Sequence, residues 1–164
     1  MDNNLEIERK FLVTNMNWTH SVVETYNIMQ GYILTKSKSV VRVRILNNQI
    51  AFLTLKDKSN SLVRHEYEYQ IPLNDAKEIY HKMCDGFVEK YRFYVPYEQD
   101  PSLKWEIDWY KGPNIPLFTA EIELPDKNKD IVIPNWIGKE ITYDDRYKNC
   151  NLALKPFCEW ENEE

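Results

Sequence analysis

The chain has 164 residues, 43% hydrophobic and 29% charged, which describes one soluble globular domain and excludes a disordered tail protein. Glycine occurs only four times, so Gly-rich phosphate loops are not expected. The net charge of −5 excludes a bulk basic field for nucleic acid or an anionic membrane, and any anion must be held by locally arranged cations.

Most of the chain alternates apolar and polar residues with period two, the strand signature. Strands are expected at 4–13, 29–35, 39–46, 49–57, 62–71, 87–97, 103–110 and 116–124, with a short edge piece near 137–142. Turn chemistry separates several of them at Asn47-Asn48, Ser59-Asn60-Ser61 and Gly112-Pro113-Asn114, and residues 98–102 fit a hairpin loop. A weak helix is expected near 17–27. A stronger one runs from an Asn74 N-cap to about Cys84, with Ala76, Ile79, Tyr80, Met83 and Cys84 on one face and Gly86 ending it. Another is expected around 144–154, and residues 159–164 read as a frayed acidic tail after a single domain over 1–158. Three widely spaced cysteines form neither a disulfide framework nor a zinc pattern. No signal peptide opens the chain, and no apolar run approaches the ~20 residues of a membrane span. Together these features predict a reduced, cytoplasmic protein.

Alternate strand residues face opposite sides. Glu6, Glu8 and Lys10 share a face opposite Ile7. Arg42 and Arg44 oppose Val41 and Val43, and Lys56 opposes Leu53 and Leu55. Arg64, Glu66 and Glu68 align, as do Lys90 and Arg92, Glu106 and Asp108, and Glu121 and Glu123. A sheet with one wet face is common. Ordinary solvent faces, however, mix Ser, Thr, Asn and Gln with charges, whereas here the charges come in pairs and triplets strand after strand. Antiparallel strands with short connections suggest a closed barrel, and a charged lumen implies a charged guest. Crowded carboxylates are ligands for Mg2+ and Mn2+. Arg forks and Lys ammonium groups bind phosphate oxygens. The combination is the equipment of metal-assisted phosphoryl chemistry. His20, His65 and His81 fall off this face and receive no role.

The string Glu6-Ile7-Glu8-Arg9-Lys10 resembles the N-terminal motif of the CYTH superfamily, the triphosphate tunnel metalloenzymes. Gln30-Gly31-Tyr32, Arg42-x-Arg44, the Lys56 strand, Arg64-x-Glu66-x-Glu68, Lys90-x-Arg92, Trp105-Glu106-Ile107-Asp108 and Glu121-Ile122-Glu123 follow in that family's order. So does the close, Gly138-x-Glu140-x-Thr142 with Asp144, Tyr147, Asn149 and Leu152. The resemblance implies a mainly β (α+β) fold, an eight-stranded antiparallel closed β-barrel tunnel with a charged lumen and peripheral helices. Family members hydrolyse inorganic triphosphate, thiamine triphosphate or RNA 5′-triphosphate ends, or cyclise ATP. The short chain looks most like the inorganic triphosphatases. The implied partner is a small-molecule triphosphate, with no nucleic acid or membrane, in a monomer or homodimer. Glu6, Glu8, Glu121 and Glu123 are the expected ligands for two Mg2+ or Mn2+ ions. Lys10, Arg42, Arg44, Lys56, Lys90 and Arg92 are expected to hold phosphoryl oxygens, with Arg146 capping one tunnel mouth. Lys10 and Tyr32 resemble a catalytic Lys–Tyr pair, in which a nearby ammonium lowers the Tyr pKa. Glu68 is expected to assist the metal or position the attacking water.

Overall fold

The computed structural model describes residues 7–36, 39–57 and 65–162. Nine strands are present: β1 (Ile7–Val13), β2 (Glu24–Ile33), β3 (Ser39–Leu46), β4 (Ile50–Asp57), β5 (Glu66–Ile71), β6 (Gly86–Pro96), β7 (Lys104–Tyr110), β8 (Phe118–Leu124) and β9 (Ile137–Glu140). They form one sheet in the order β5-β4-β3-β2-β6-β7-β8-β1-β9, and every pairing is antiparallel. The first strand pairs with the eighth, as barrel topology requires. Among the described residues the ladder ends at β5 and at β9, so closure into an eight-stranded barrel is absent from these pairings. The second edge of β1 is taken by β9.

Turn residues set the register. Asn47 and Asn48 both take positive φ, 51° and 54°, which Asn tolerates, in the three-residue turn over 47–49 between β3 and β4, where the Gln49 N–H donates to the Leu46 carbonyl oxygen at 2.9 Å. The 98–102 segment does connect a hairpin, β6 to β7. The Ser59–Ser61 turn lies outside the described residues.

Two faces result. On one, Phe11, Val95, Trp105, Ile107 and Ile122 pack beneath Trp18 and Trp136 from loops. On the same side helix α1 (Leu73–Met83) buries Ala76 and Tyr80 against Val43, Ile45 and Ala51. The opposite face carries the charges. One end of it is covered by helix α2 (Asn149–Leu154), whose Leu152 packs with Val88, Tyr110 and Leu117.

Several expectations need correction. Residues 24–27 extend β2 by pairing with residues 91–94 of β6, where the β-branched Thr25 and aromatic Tyr26 suit an extended backbone, and only Thr19–Ser21 forms a 3-10 turn. The N-cap of α1 is Pro72, not Asn74, and the helix ends at Met83. Gly86 does not terminate that helix. It opens β6, where a Cβ would lie 2.6 Å from the Ala153 carbonyl oxygen of α2. The 144–154 segment splits into a 3-10 turn at Asp145–Tyr147 and α2. The last segment is a 3-10 stretch, Phe157–Asn162, held by Trp160 packing on Tyr147 and Phe157. No helix among the described residues is long and apolar enough to cross a membrane.

Candidate functional site

The pairing register brings the charged side chains of seven strands onto one face. Arg42 pairs with Tyr32 and Thr54, Arg44 with Gln30, Arg92 with Asp108, and Lys10 with Glu121, which in turn pairs with Glu106. Arg42, Lys90 and Arg92 are 8%, 0% and 7% exposed. These cations are therefore enclosed, whereas an open wet face would leave them in bulk water.

At the end covered by α2, Lys90 Nζ donates to Asp108 Oδ2 at 2.6 Å and to Asn149 Oδ1 at 3.2 Å. Arg92 grips Asp108 with two nitrogens, at 2.7 and 2.8 Å, and also contacts Glu106. Burial pulls the Lys90 pKa down to about 7, with Asp108 opposing. Burial alone would raise the Asp108 pKa, but Arg92 and Lys90 hold it well below the usual carboxylate range. One buried carboxylate thus fixes two buried cations.

A second wall is built from β2, β3, β4 and β5. Arg42 donates to Thr54 Oγ1 at 3.1 Å and Glu68 Oε2 at 3.2 Å, and lies 3.7 Å from Glu66 Oε1. Its Nε is buried without a hydrogen-bond partner among the described residues. Lys56 pairs with Glu66 at 2.6 Å. Arg44 differs from its neighbours. Its Nε donates to Gln30 Oε1 at 2.8 Å, and no carboxylate lies within ion-pair distance of it among the described residues. Burial, with repulsion from Arg42 and Arg92, lowers its pKa to about 10. Glu68 is tied to Thr54 and Arg42, an arrangement that orients a cation.

The expected Lys10–Tyr32 pairing takes another form. Lys10 Nζ binds Glu121 at 2.7 Å and the Tyr147 carbonyl oxygen at 2.9 Å. Burial alone lowers the Lys10 pKa, but Glu121, Tyr110 and Asp108 raise it above its ordinary value. Tyr32 accepts from Gln30 Nε2 at 3.0 Å. Its pKa is raised, not lowered, because burial outweighs Arg42, Arg44 and Lys10. Tyr32 is a neutral phenol in this cleft.

At the opposite, open end Glu8 of β1 stands directly across from Glu123 of β8. Glu121 lies one same-face step deeper, bound to Lys10 and 3.5 Å from Arg92. Burial raises the Glu121 pKa, and Lys10 and Arg92 more than reverse it. The Glu121 charge in turn raises Glu8 to about 7, with desolvation by the cleft walls adding to it. Negative charge is thus in excess at this end, and a cation would relieve it. Glu6 lies outside the described residues. Among the described residues no three His, Cys, Asp or Glu side chains converge as a ready-made metal cage. Arg146 is 61% exposed and pairs with Asp144 at 2.7 Å, its guanidinium 5.1 Å from the Trp160 ring.

Three neutral residues complete the site: Gln30 and Asn149, which stand in the family-like strings without an expected role, and Thr54, which stands in none. Gln30 holds Arg44 and Tyr32, Thr54 bridges Arg42 and Glu68, and Asn149 accepts from Lys90 and, at 2.9 Å, from Tyr110. For Gln30 and Thr54 the signal was present: each occupies an i, i+2 position on the charged face.

Comparison with known proteins agrees with this geometry. The CYTH domain family model matches residues 4–149. An inorganic triphosphatase of Acetivibrio thermocellus is 40% identical over 153 residues, 93% of this chain and 95% of that protein. One from Nitrosomonas europaea is 36% identical, over 91% of this chain and 97% of that protein. A solved structure of an inorganic triphosphatase superposes with a TM-score of 0.69 at 31% identity, covering 91% of this chain and 94% of that one.

Proposed function

The chain belongs to the CYTH domain family, and on that premise we propose that it hydrolyses inorganic triphosphate to diphosphate and phosphate within the charged cleft. One observation carries the reading. Arg44 is a half-buried guanidinium without a carboxylate partner among the described residues, set near Arg42 and Arg92. Such a cluster is complementary to a compact polyanion.

Arg42, Arg44, Lys56, Lys90 and Arg92 take the phosphoryl oxygens. Carboxylates hold Arg42, Lys56, Lys90 and Arg92 in place before substrate arrives, and Gln30 holds Arg44, so little reorganisation is needed on binding. Tyr32, neutral and with its own proton unshared with Gln30, offers an O–H to a phosphoryl oxygen. Lys10 orients Glu121. Glu68 steers Arg42, and Arg146 remains a surface residue over Trp160. The sheet, with α2 across one end, then works as a tunnel-like cleft entered from the Glu8–Glu123 end.

Glu8 and Glu123, with Glu121 and Glu6 beside them in sequence pattern, are the residues that would hold Mg2+ or Mn2+. Their oxygen chemistry fits, since Mg2+ is commonly held by one or two carboxylates together with substrate phosphates. The uncompensated charge that raises Glu8 fits as well. Two such ions, when bound, neutralise phosphate charge and make a bound water a stronger nucleophile. We place the activity in the cytoplasm, in keeping with three free cysteines.

Phosphate release from inorganic triphosphate tests the proposal. EDTA is expected to abolish it and Mg2+ or Mn2+ to restore it. Glu8→Gln, which removes charge but little volume, is expected to lower kcat/KM at least ~100-fold with the fold retained. Full turnover in metal-free buffer, or faster turnover of ATP than of triphosphate, would overturn it.

A further inference from the structure

Across the sheet from the charges, the backs of β6 and β7 border a cavity of ≈ 430 Å³. Val95 of β6, Tyr97 just beyond that strand and Trp105 of β7 form its floor, and the loops that carry Trp18 and Trp136 close over it. All four aromatic side chains are buried. Trp136 meets Trp105 edge-on at 5.4 Å between ring centroids, and Tyr97 meets it at 6.4 Å.

The hydrogen bonding of this cluster is incomplete. Trp18 Nε1 and Trp105 Nε1 are both buried, and neither N–H reaches an acceptor among the described residues. The Tyr97 hydroxyl accepts from the Val132 N–H at 2.8 Å, which leaves its own proton unspent. A buried indole N–H ordinarily finds a partner, and an unpaired donor costs free energy. Glu98 and His20, the titratable side chains that border the cavity besides Tyr97, are exposed.

Water answers this need poorly. A buried water requires two to four polar partners, and its own hydrogens call for acceptors. The unpartnered buried side-chain atoms at this cavity are both donors. A flat neutral molecule with carbonyl oxygens and no donors is complementary, because its rings lie among the indoles while its oxygens accept from them. The volume falls within the roughly 300–1,000 Å³ of small-molecule pockets.

We propose that this cavity binds a neutral aromatic carbonyl compound, held by the indole N–H groups of Trp18 and Trp105. The site lies on the opposite side of the sheet from the phosphate-binding cations and does not depend on the triphosphatase reading. Trp18 also borders a smaller cavity of ≈ 310 Å³ with Phe93, Trp109 and Phe118. Trp105 borders the larger cavity and not the smaller, so it reports which of the two is filled.

The test is a proton–nitrogen correlation spectrum of the full chain, which gives one indole signal for each of its five tryptophans. The signals are assigned in wild type by triple-resonance methods. Coumarin is the probe, a planar bicycle with lactone oxygens and no donor. Naphthalene, a bicycle of similar shape without oxygen, is the control. Coumarin is expected to move the Trp18 and Trp105 indole protons downfield in a saturable way. It is expected to bind about tenfold more tightly than naphthalene, as hydrogen bonds to two otherwise unpaired donors allow. Trp18→Phe and Trp105→Phe each keep an aromatic ring and remove the N–H. Each is expected to reduce that preference at least about threefold, the loss falling on coumarin. Trp18→Phe and the wild-type spectrum decide even where Trp105→Phe fails to fold. Equal affinity for the two bicycles in wild type, or a shift at Trp109 without one at Trp105, would overturn the site. So would the absence of any saturable shift, which leaves the cavity to water. Displacement of coumarin by triphosphate in EDTA would overturn it as well, by placing the probe among the cations.

Discussion

Glu8 shows how a single side chain responds to crowding. Its carboxyl titrates near 7, chiefly because Glu121 lies close by and then because the cleft walls displace water. Solvent still reaches Glu8 and screens part of the repulsion. Folded Glu8 thus holds its proton more tightly than in the unfolded chain, where it titrates near 4.5. The stability contributed by that difference is fully present below about 4.5 and is lost as pH rises through about 7. Metal binding runs the other way, since only the carboxylate is a ligand. Affinity for Mn2+ is therefore expected to rise about tenfold between pH 6 and pH 8, as one group with a pKa near 7 ionises. Titration calorimetry at the two pH values measures it. Glu8→Gln should flatten the dependence as well as weaken binding, and a pH-independent affinity in wild type would separate Glu8 from the metal.

Among elements, the contact between β6 and α2 decides the shape of the cleft. Gly86 lets the backbone of Ala153 approach where any Cβ would collide with a carbonyl oxygen at 2.6 Å. At Gly31 of β2 the nearest obstacle is the Cys84 sulfur, at 2.5 Å, on a side chain. Gly86→Ala must move helix backbone, whereas Gly31→Ala must move mainly a thiol. Overpacking of this kind costs about 1–3 kcal/mol. At roughly 3 °C per kcal/mol the Tm of Gly86→Ala is expected to fall by about 3–9 °C, and by more than that of Gly31→Ala. Displacing α2 also withdraws Asn149 from Lys90, so kcat/KM should fall even in the folded fraction. A Gly86→Ala variant with native Tm and activity would show that α2 adjusts freely. This contact was not legible in the sequence, where Gly86 reads as a helix terminator, because a close approach by a distant segment leaves no local pattern. The strands were legible, since Arg42-x-Arg44 or Glu121-x-Glu123 states both period and face. Neutral members of the same face were harder to see. Gln30 and Thr54 carry no charge to mark them, and Asn149 reaches the site from a helix. Residues 24–27 misled because Glu24, Thr25 and Asn27 are half or fully exposed, and an exposed strand end has little hydrophobic periodicity to display.

For the whole molecule, the enclosed cations make folding and ligand binding one electrostatic problem. The inner face holds Arg42, Arg44 and Arg92 close enough that the other two lower the pKa of Arg44, after the larger effect of burial. Without substrate this repulsion opposes folding. A bound polyanion reverses its sign. A ligand that binds only the folded chain at 100 times its Kd stabilises by about 2.7 kcal/mol. With about 2–4 °C per kcal/mol for a chain of this size, triphosphate in EDTA is expected to raise the Tm by roughly 5–11 °C. Arg44→Met separates the two roles of this side chain, because it keeps apolar volume and removes the charge. Replacing a buried charge by an apolar group of similar size is often neutral or stabilising. The ligand-free Tm of Arg44→Met is therefore expected not to fall, while the triphosphate-induced rise shrinks to less than half that of wild type at the same ligand concentration. Differential scanning fluorimetry across a triphosphate series reads both quantities from one plate. A lower ligand-free Tm together with an undiminished rise would assign Arg44 to the architecture of the sheet and remove it from the phosphate grip.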